Sequence, residues 1–530
     1  MGEPIDTLNQ RWKSTCRVVL GGEIGELDDY PKYLSGIIDP LTLRNSEDGQ
    51  PIVMTSEHYG KNAKVQDMEK INFSKKFEPF GINEIKDIDS LISAVQERIS
   101  YCGNIVIGNS KFIKSASEIS DSFYVYKSVR ISGCKYVAYS QWMRLSEDIY
   151  GTNEGGETKA CIRCGIVYRN QRSFELWIGG NTSDSYYSYG LENCQDCIFC
   201  FNLIGKSRCI GNLQLTADKY SEIKQKLLSE IRGELVKKKS LPSLIELISK
   251  GKVDTTEAIS AVKGLSYAPR DDDKSRLEKA FSDSSSVVFG SRLKEIDSYA
   301  NWLSHSNIIT RDAKSVLSNT TLQMSDYPIF RELPKSRIVT QEEATCLGQC
   351  LHAPKALVDS ASLSNAHKIL EGIAYFPPER RLGTYKNLVA CQWGSQSTDC
   401  YRTVVASHDK FCGYNAWPRN SENIFGSGLA FNSEFCFRCF DCLELKRCFE
   451  MDSCRECSDC YFSHNIENCQ ECMFCFNVKA KRYAIGNVEY PKEEYLKIKK
   501  IVLAEIANKL EKEKKFPLNI YNIGSAGKSK

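Results

Sequence analysis

The sequence has no run of about 18 apolar residues, so no membrane span is expected. Its opening, MGEPIDTLNQRWKS, holds no apolar core of a secretory leader, which points to a reducing, cytoplasmic setting. Charge of either sign is nearly absent in net terms: 70 basic residues face 67 acidic ones. No overall basic field therefore argues for nucleic acid, although local patches remain open. Histidine is scarce, at six residues, and none stands in a recognisable triad. GxGxxG, P-loop, HExxH and GxSxG signatures are all missing, which removes the common phosphate-binding, metalloprotease and hydrolase readings.

Cysteine, by contrast, is abundant: there are 24. In a reducing compartment these are expected to be free thiols or metal ligands rather than disulfides. Their placement follows a duplication. The segment from Glu192, ENCQDCIFCFNLIGKSRCIGN, returns 275 residues later at Glu467 as ENCQECMFCFNVKAKRYAIGN. Both copies run on without a gap into a charged helical pattern.

A shorter period lies inside each copy. Cys400, Cys412, Cys436, Cys448, Cys460 and Cys472 sit on one twelve-residue ladder, which only Ile424 interrupts. Stepping back 275 residues, the same ladder reads Val125, Val137, Ile149, Cys161, Ser173, Ser185 and Cys197. A slot that takes Cys, Val, Ile or Ser is an inward packing slot. Six residues further on, the positions are again small or apolar, as at Ile119, Ile131, Met143, Gly155 and Val167.

A fixed short period with small inward residues is the mark of a solenoid, whose coils bury their faces against their neighbours. A meander with one strand and one turn per period is the competing reading. Helices are expected at Ala217–Lys237 and Pro491–Lys515, each with a Tyr/Ile/Leu stripe that could cover an open end of a repeat block. A further helix is expected over Asn83–Ser100.

The expected fold class is mainly β with α: two duplicated β-solenoid-like blocks of twelve-residue period, each capped by a helix and joined by a helical connecting domain. The expected boundaries are an α/β region at 1–105, the first block with its helix at 106–237, the connecting domain at 238–372, the second block with its helix at 373–515, and a disordered tail at 516–530.

Three fates are open to the cysteines. Free thiols pack as small hydrophobes. Paired CxxC motifs build structural zinc sites. Iron–sulfur clusters also use CxxCxxC, but no fourth cysteine follows at the ferredoxin spacing. The triplets Cys194, Cys197, Cys200 and Cys469, Cys472, Cys475 are the zinc candidates because both copies carry them. His464 lies four residues after Cys460 as a further potential ligand, and Cys346, Cys350 and His352 form a separate cluster. The cofactor expectation is thus none, or zinc.

The run NCQECMFCFNVKAKRYAIGNVEYPKEEY resembles a family of uncharacterised cysteine-rich repeat proteins of little-studied prokaryotes and their viruses. The resemblance covers about the last 50 residues of each copy. It implies an architecture and carries no activity. The functional expectation is a non-enzymatic scaffold or binding protein that meets a protein partner or larger assembly and no membrane. A structural zinc protein and an RNA- or ribosome-associated factor are the alternatives.

Overall fold

The outstanding local feature is a left-handed residue at every third position. Phe112, Ser115, Glu118, Asp121, Tyr124, Lys127 and Arg130 all have φ between 44° and 63°, and the rhythm continues through the cysteine-rich segments. Each such non-glycine residue costs roughly 1–2 kcal/mol in backbone energy. Paired strands and buried side chains offset that cost. In the computed structural model, which describes residues 4–525, two stacks of short strands run from Val106 to Gln214 and from Arg380 to Glu489.

Within each stack the strands pair in parallel with the segment twelve residues away, except that the first strand of each, from Val106 and from Arg380, pairs at thirteen. The pairs Ile113↔Val125, Val125↔Val137, Val137↔Ile149 and Ile149↔Cys161 follow the sequence ladder. So do Ile424↔Cys436 and Cys460↔Cys472 in the second stack. The companion row pairs Ile119↔Ile131↔Met143↔Gly155↔Val167. Only the last short strand of each stack is antiparallel.

One residue in three points inward, and each stack has its own narrow core. Ala116, Ile119, Val125, Ile131 and Cys134 begin the first, and Leu388, Cys391 and Cys400 the second. Between the apolar slots sit buried hydroxyls. Ser128 Oγ donates to the Tyr126 carbonyl at 2.8 Å and accepts the Ser140 N–H at 3.1 Å. Ser140 repeats this with Ala138 and Thr152. A small donor–acceptor side chain is what the slot selects.

Helix and strand are nearly equal, at 29% and 32%, so the chain is mixed α/β rather than mainly β. The helices Ala217–Lys238 and Lys492–Glu513 pack against the last parallel strands of their stacks, Ser207–Ile210 and Arg482–Ile485. The Asn83–Ser100 expectation shrinks to Ile88–Val95, which Asp87 caps. A helix not expected from the sequence, Pro4–Leu20, lies along the flank of the first stack and crosses several of its strands. Ser275–Phe289 does the same on the second. Residues 516–525, expected to be disordered, are ordered by burial: Phe516, Ile520, Tyr521 and Ile523 join the second-stack core. The remainder of that tail, 526–530, lies outside the described residues.

Two outer cores cross the chain. The first joins Pro4–Leu20 and the first stack to Leu322, Tyr327, Phe330, Ile369 and Phe376, from the segment preceding the second stack. The other joins Ser275–Phe289 and the second stack to Ile52, Met54, Tyr59, Val65 and Tyr101, from the segment preceding the first. Each stack is thus covered by an arm from the opposite half. Residues 238–372 are not purely helical, because an antiparallel hairpin pairs Thr310–Lys314 with Thr321–Ser325.

Candidate functional site

The contacts that fix the arms, and those that fix each stack's own flanking segments, recur at the 275-residue offset of the sequence. Asn202 Nδ2 donates to the Tyr375 carbonyl at 2.9 Å, and Asn477 Nδ2 donates to the Ser100 carbonyl at 2.9 Å. Arg163 and Arg438 pair with Glu175 and Glu450, and all four are buried. Arg163 also donates to the Tyr33 carbonyl and Arg438 to that of Trp302. The two glutamates accept the backbone N–H groups of Leu244 at 3.2 Å and Ile520 at 2.8 Å. Each ion pair therefore ties a segment before its stack to one after it.

The two stacks meet along one seam. Trp142 stacks on Trp417, its counterpart at the same offset, with ring centroids 5.5 Å apart and 27° between planes. On one side of this pair the seam is apolar, lined by Ile166, Val405, Ile308 and Phe330. On the other side it is polar. Arg130 makes two 2.7 Å bonds to Asp441 and lies over the Trp142 ring at 5.0 Å. Ser453 Oγ donates to Glu118 at 2.8 Å.

That polar side opens into a cleft of about 400 Å³, a size that suits a small ligand. The left-handed rhythm positions its wall, because Glu118, Arg130 and Trp142 occupy successive left-handed sites twelve residues apart and project outward. Arg144, Arg419 and Arg455 also line it, half-buried. Among the described residues none of these three has a carboxylate within salt-bridge distance. Burial, together with the charge of Arg144, pulls the Arg419 guanidinium down from its usual value. Tyr168, Phe431, Leu429 and Leu443 supply the apolar lining, with Asn420 and Asn432 at the rim.

The carboxyl groups nearby do not neutralise this field. Burial, with help from the charge of Asp441, pushes Glu118 up to about 8. Burial pushes Glu154, which accepts a 2.9 Å bond from Tyr168, also up to about 8. In both, burial favours the neutral form. Concave shape, unpaired guanidinium groups and neutral acids suit the capture of an anion.

The cysteine candidates occupy different ground. Cys194, Cys197, Cys200, Cys469, Cys472 and Cys475 are all buried in the inner cores. Each Sγ donates to the carbonyl two residues before it: Cys194 to Glu192 at 3.3 Å, Cys200 to Ile198 at 3.3 Å, Cys475 to Met473 at 3.4 Å. Cys475 Sγ also accepts the Asn487 N–H at 3.4 Å, as an inner serine would. Among the described residues no three His, Cys, Asp or Glu side chains gather as metal ligands. Hydrogen bonds from neighbouring thiols draw Cys194 and Cys469 down, while Cys197 and Cys472 are driven up.

His464 has both ring nitrogens engaged, with Nδ1 at 2.7 Å from Asp452 and Nε2 accepting the Cys102 N–H at 2.8 Å. It anchors an arm and has no lone pair free for a metal. Cys346 and Cys350 lie 3.9 Å apart and are the only cysteines not buried. Phe437, Phe449, Tyr461 and Phe474, the aromatics of the second stack that an RNA-binding surface would need exposed for base stacking, are buried.

The seam residues carry no recognisable motif. Trp142/Trp417 and Arg144/Arg419 and, away from the seam, Arg163/Arg438 are identical pairs at offset 275, and that identity is the signal the sequence holds for them. Comparison of the chain with protein-family models, with curated proteins and with solved structures finds no match.

Proposed function

We propose that the protein is a non-enzymatic binding protein, in which two duplicated β-solenoids of twelve-residue coil interlock through exchanged arms and hold an anionic group in the cleft at their seam. The in-register parallel pairing supports the solenoid reading. Three half-buried arginines with no carboxylate partner, facing one cleft, carry the functional reading. A scaffold role fits the same geometry, since a rigid pair of coils presents the cleft without a moving part. The structural zinc alternative rests on the two shared triplets alone, and the RNA alternative lacks an exposed aromatic surface at Phe437, Phe449, Tyr461 and Phe474.

Equilibrium binding of inorganic pyrophosphate and of citrate to the full chain tests the reading. Saturable one-to-one binding is expected, weakened at least tenfold in the double variant Arg144→Ser/Arg419→Ser. Absence of binding by either anion would sink it. A pH dependence follows from Glu118, whose neighbours include Asp441, Arg130 and Asp452. Its folded carboxyl is neutral below about 8 and anionic above. Anion affinity should therefore fall as pH rises through 8, by about tenfold for one added negative charge a few ångströms away. Glu154, raised in the same way, titrates over the same range, so titrations at pH 6.5 and 9 would check this and the double variant Glu118→Gln/Glu154→Gln should flatten the profile. Because the shift is upward, the same group contributes stability that is lost as pH rises towards its folded value.

A further inference from the structure

The cleft is more than a basic hollow, and the chemistry of its walls narrows the anion. Resting on the binding reading above, we infer that the cleft takes a nucleoside diphosphate, with the phosphates on Arg144, Arg419 and Arg455 and the base against Tyr168 and Phe431.

Charge comes first. Three guanidinium groups without internal partners offer three positive charges, and a nucleoside diphosphate carries about three negative charges at neutral pH. Guanidinium forks bind phosphate oxygens in a bidentate manner, which a point charge does not. Arg130 adds nothing to this count, because Asp441 holds it with two 2.7 Å bonds.

The second consideration is the apolar half of the lining. A bare polyphosphate would leave Tyr168, Phe431, Leu429 and Leu443 in contact with water. An aromatic base would cover them by stacking on the rings. Arg144 already lies over the Tyr168 ring at 5.9 Å, so a charged group and a stacking surface adjoin where phosphate and base would diverge. Rim amides complete the set. Asn420 and Asn432 touch each other at 3.3 Å at the edge of the cleft, where a base would present its donors and acceptors. Finally, about 400 Å³ falls in the range of small-ligand sites and leaves no room for a folded protein segment.

Titration of the full chain with adenosine and guanosine diphosphates, followed by tryptophan fluorescence and by calorimetry, tests this. Pyrophosphate and citrate serve as probes without a base. The expected result is binding of at least one diphosphate tenfold or more tighter than pyrophosphate, with Tyr168→Ala removing that advantage while pyrophosphate still binds. Arg144→Ser/Arg419→Ser should weaken nucleotide and pyrophosphate alike. Equal affinity for nucleotide and pyrophosphate would overturn the inference and leave the anion site standing. Binding of none of the probes would overturn both. Circular dichroism of each variant distinguishes a lost contact from a lost fold, and Tyr168→Phe, which keeps the ring, should retain the nucleotide preference.

Discussion

Replacing Glu450 by alanine is expected to destabilise the protein by about 3–5 kcal/mol, the cost of leaving a buried cation without its partner. Arg438 is 1% exposed and has no route to water. Its other partners, the carbonyls of Trp302 and His305 and the Trp302 and Phe440 rings, do not neutralise its charge. The Ile520 N–H loses its acceptor as well. Burial and the loss of solvation would favour a neutral Glu450, and Arg438 opposes this by stabilising its charged form. Glu175→Ala should act alike at the first stack, where Leu244 takes the place of Ile520. The paired change Arg438→Met/Glu450→Leu removes both charges and should cost less than the single one. Denaturant unfolding measures all three. A Glu450→Ala protein as stable as its parent would show that the ion pair does not fasten the stack to its flanking segments.

A larger effect is expected when the halves are made apart. Residues 1–265 alone would keep the first stack and lose the arm that covers it, including Leu322, Phe330, Ile369 and Phe376. Residues 266–530 alone would lose Ile52, Tyr59, Val65 and Tyr101 from the second. Side chains of this size contribute about 1.5–3 kcal/mol each on burial, so removing a whole arm exceeds the stability of an ordinary domain. Each half is therefore expected to be insoluble or aggregated when produced singly. Co-expressed halves should associate and withstand high salt, because the exchanged surfaces are mostly apolar. Size-exclusion chromatography decides the matter. Two halves that are separately folded, monodisperse monomers would contradict the arm exchange.

Some of this was legible in the sequence. The twelve-residue ladder was, because an inward slot accepts only a narrow set of side chains and cysteine marks it repeatedly. The terminal helices were legible through their apolar stripes and match to within two residues. The left-handed rhythm was not. Tyr, Arg, Glu and Lys at these sites look like ordinary surface residues, and no glycine spacing betrays the backbone. The Pro4–Leu20 helix has its own signal: Leu8, Trp12, Thr15, Cys16 and Val19 form a buried stripe at helical spacing. The arm exchange depends on contacts between residues hundreds of positions apart, which no local pattern encodes. The cleft lay in between. Trp142/Trp417 and Arg144/Arg419 were visible as repeats at offset 275, whereas Arg130 and Arg455 have Val405 and Gly180 as counterparts, and the convergence of all of them on one seam is a fact of tertiary structure.

The division of labour between core and cleft rests on the thiols. If cysteine fills the coils in the manner of serine and valine, the shared triplets have no ligand role and the seam is the functional surface. Counting thiols that react with a water-soluble disulfide reagent, before and after denaturation, tests this most directly. Cys346 and Cys350 should react at once in the native protein, and the other 22 only on unfolding, with no metal released. Stoichiometric zinc appearing as the buried thiols react would contradict the account.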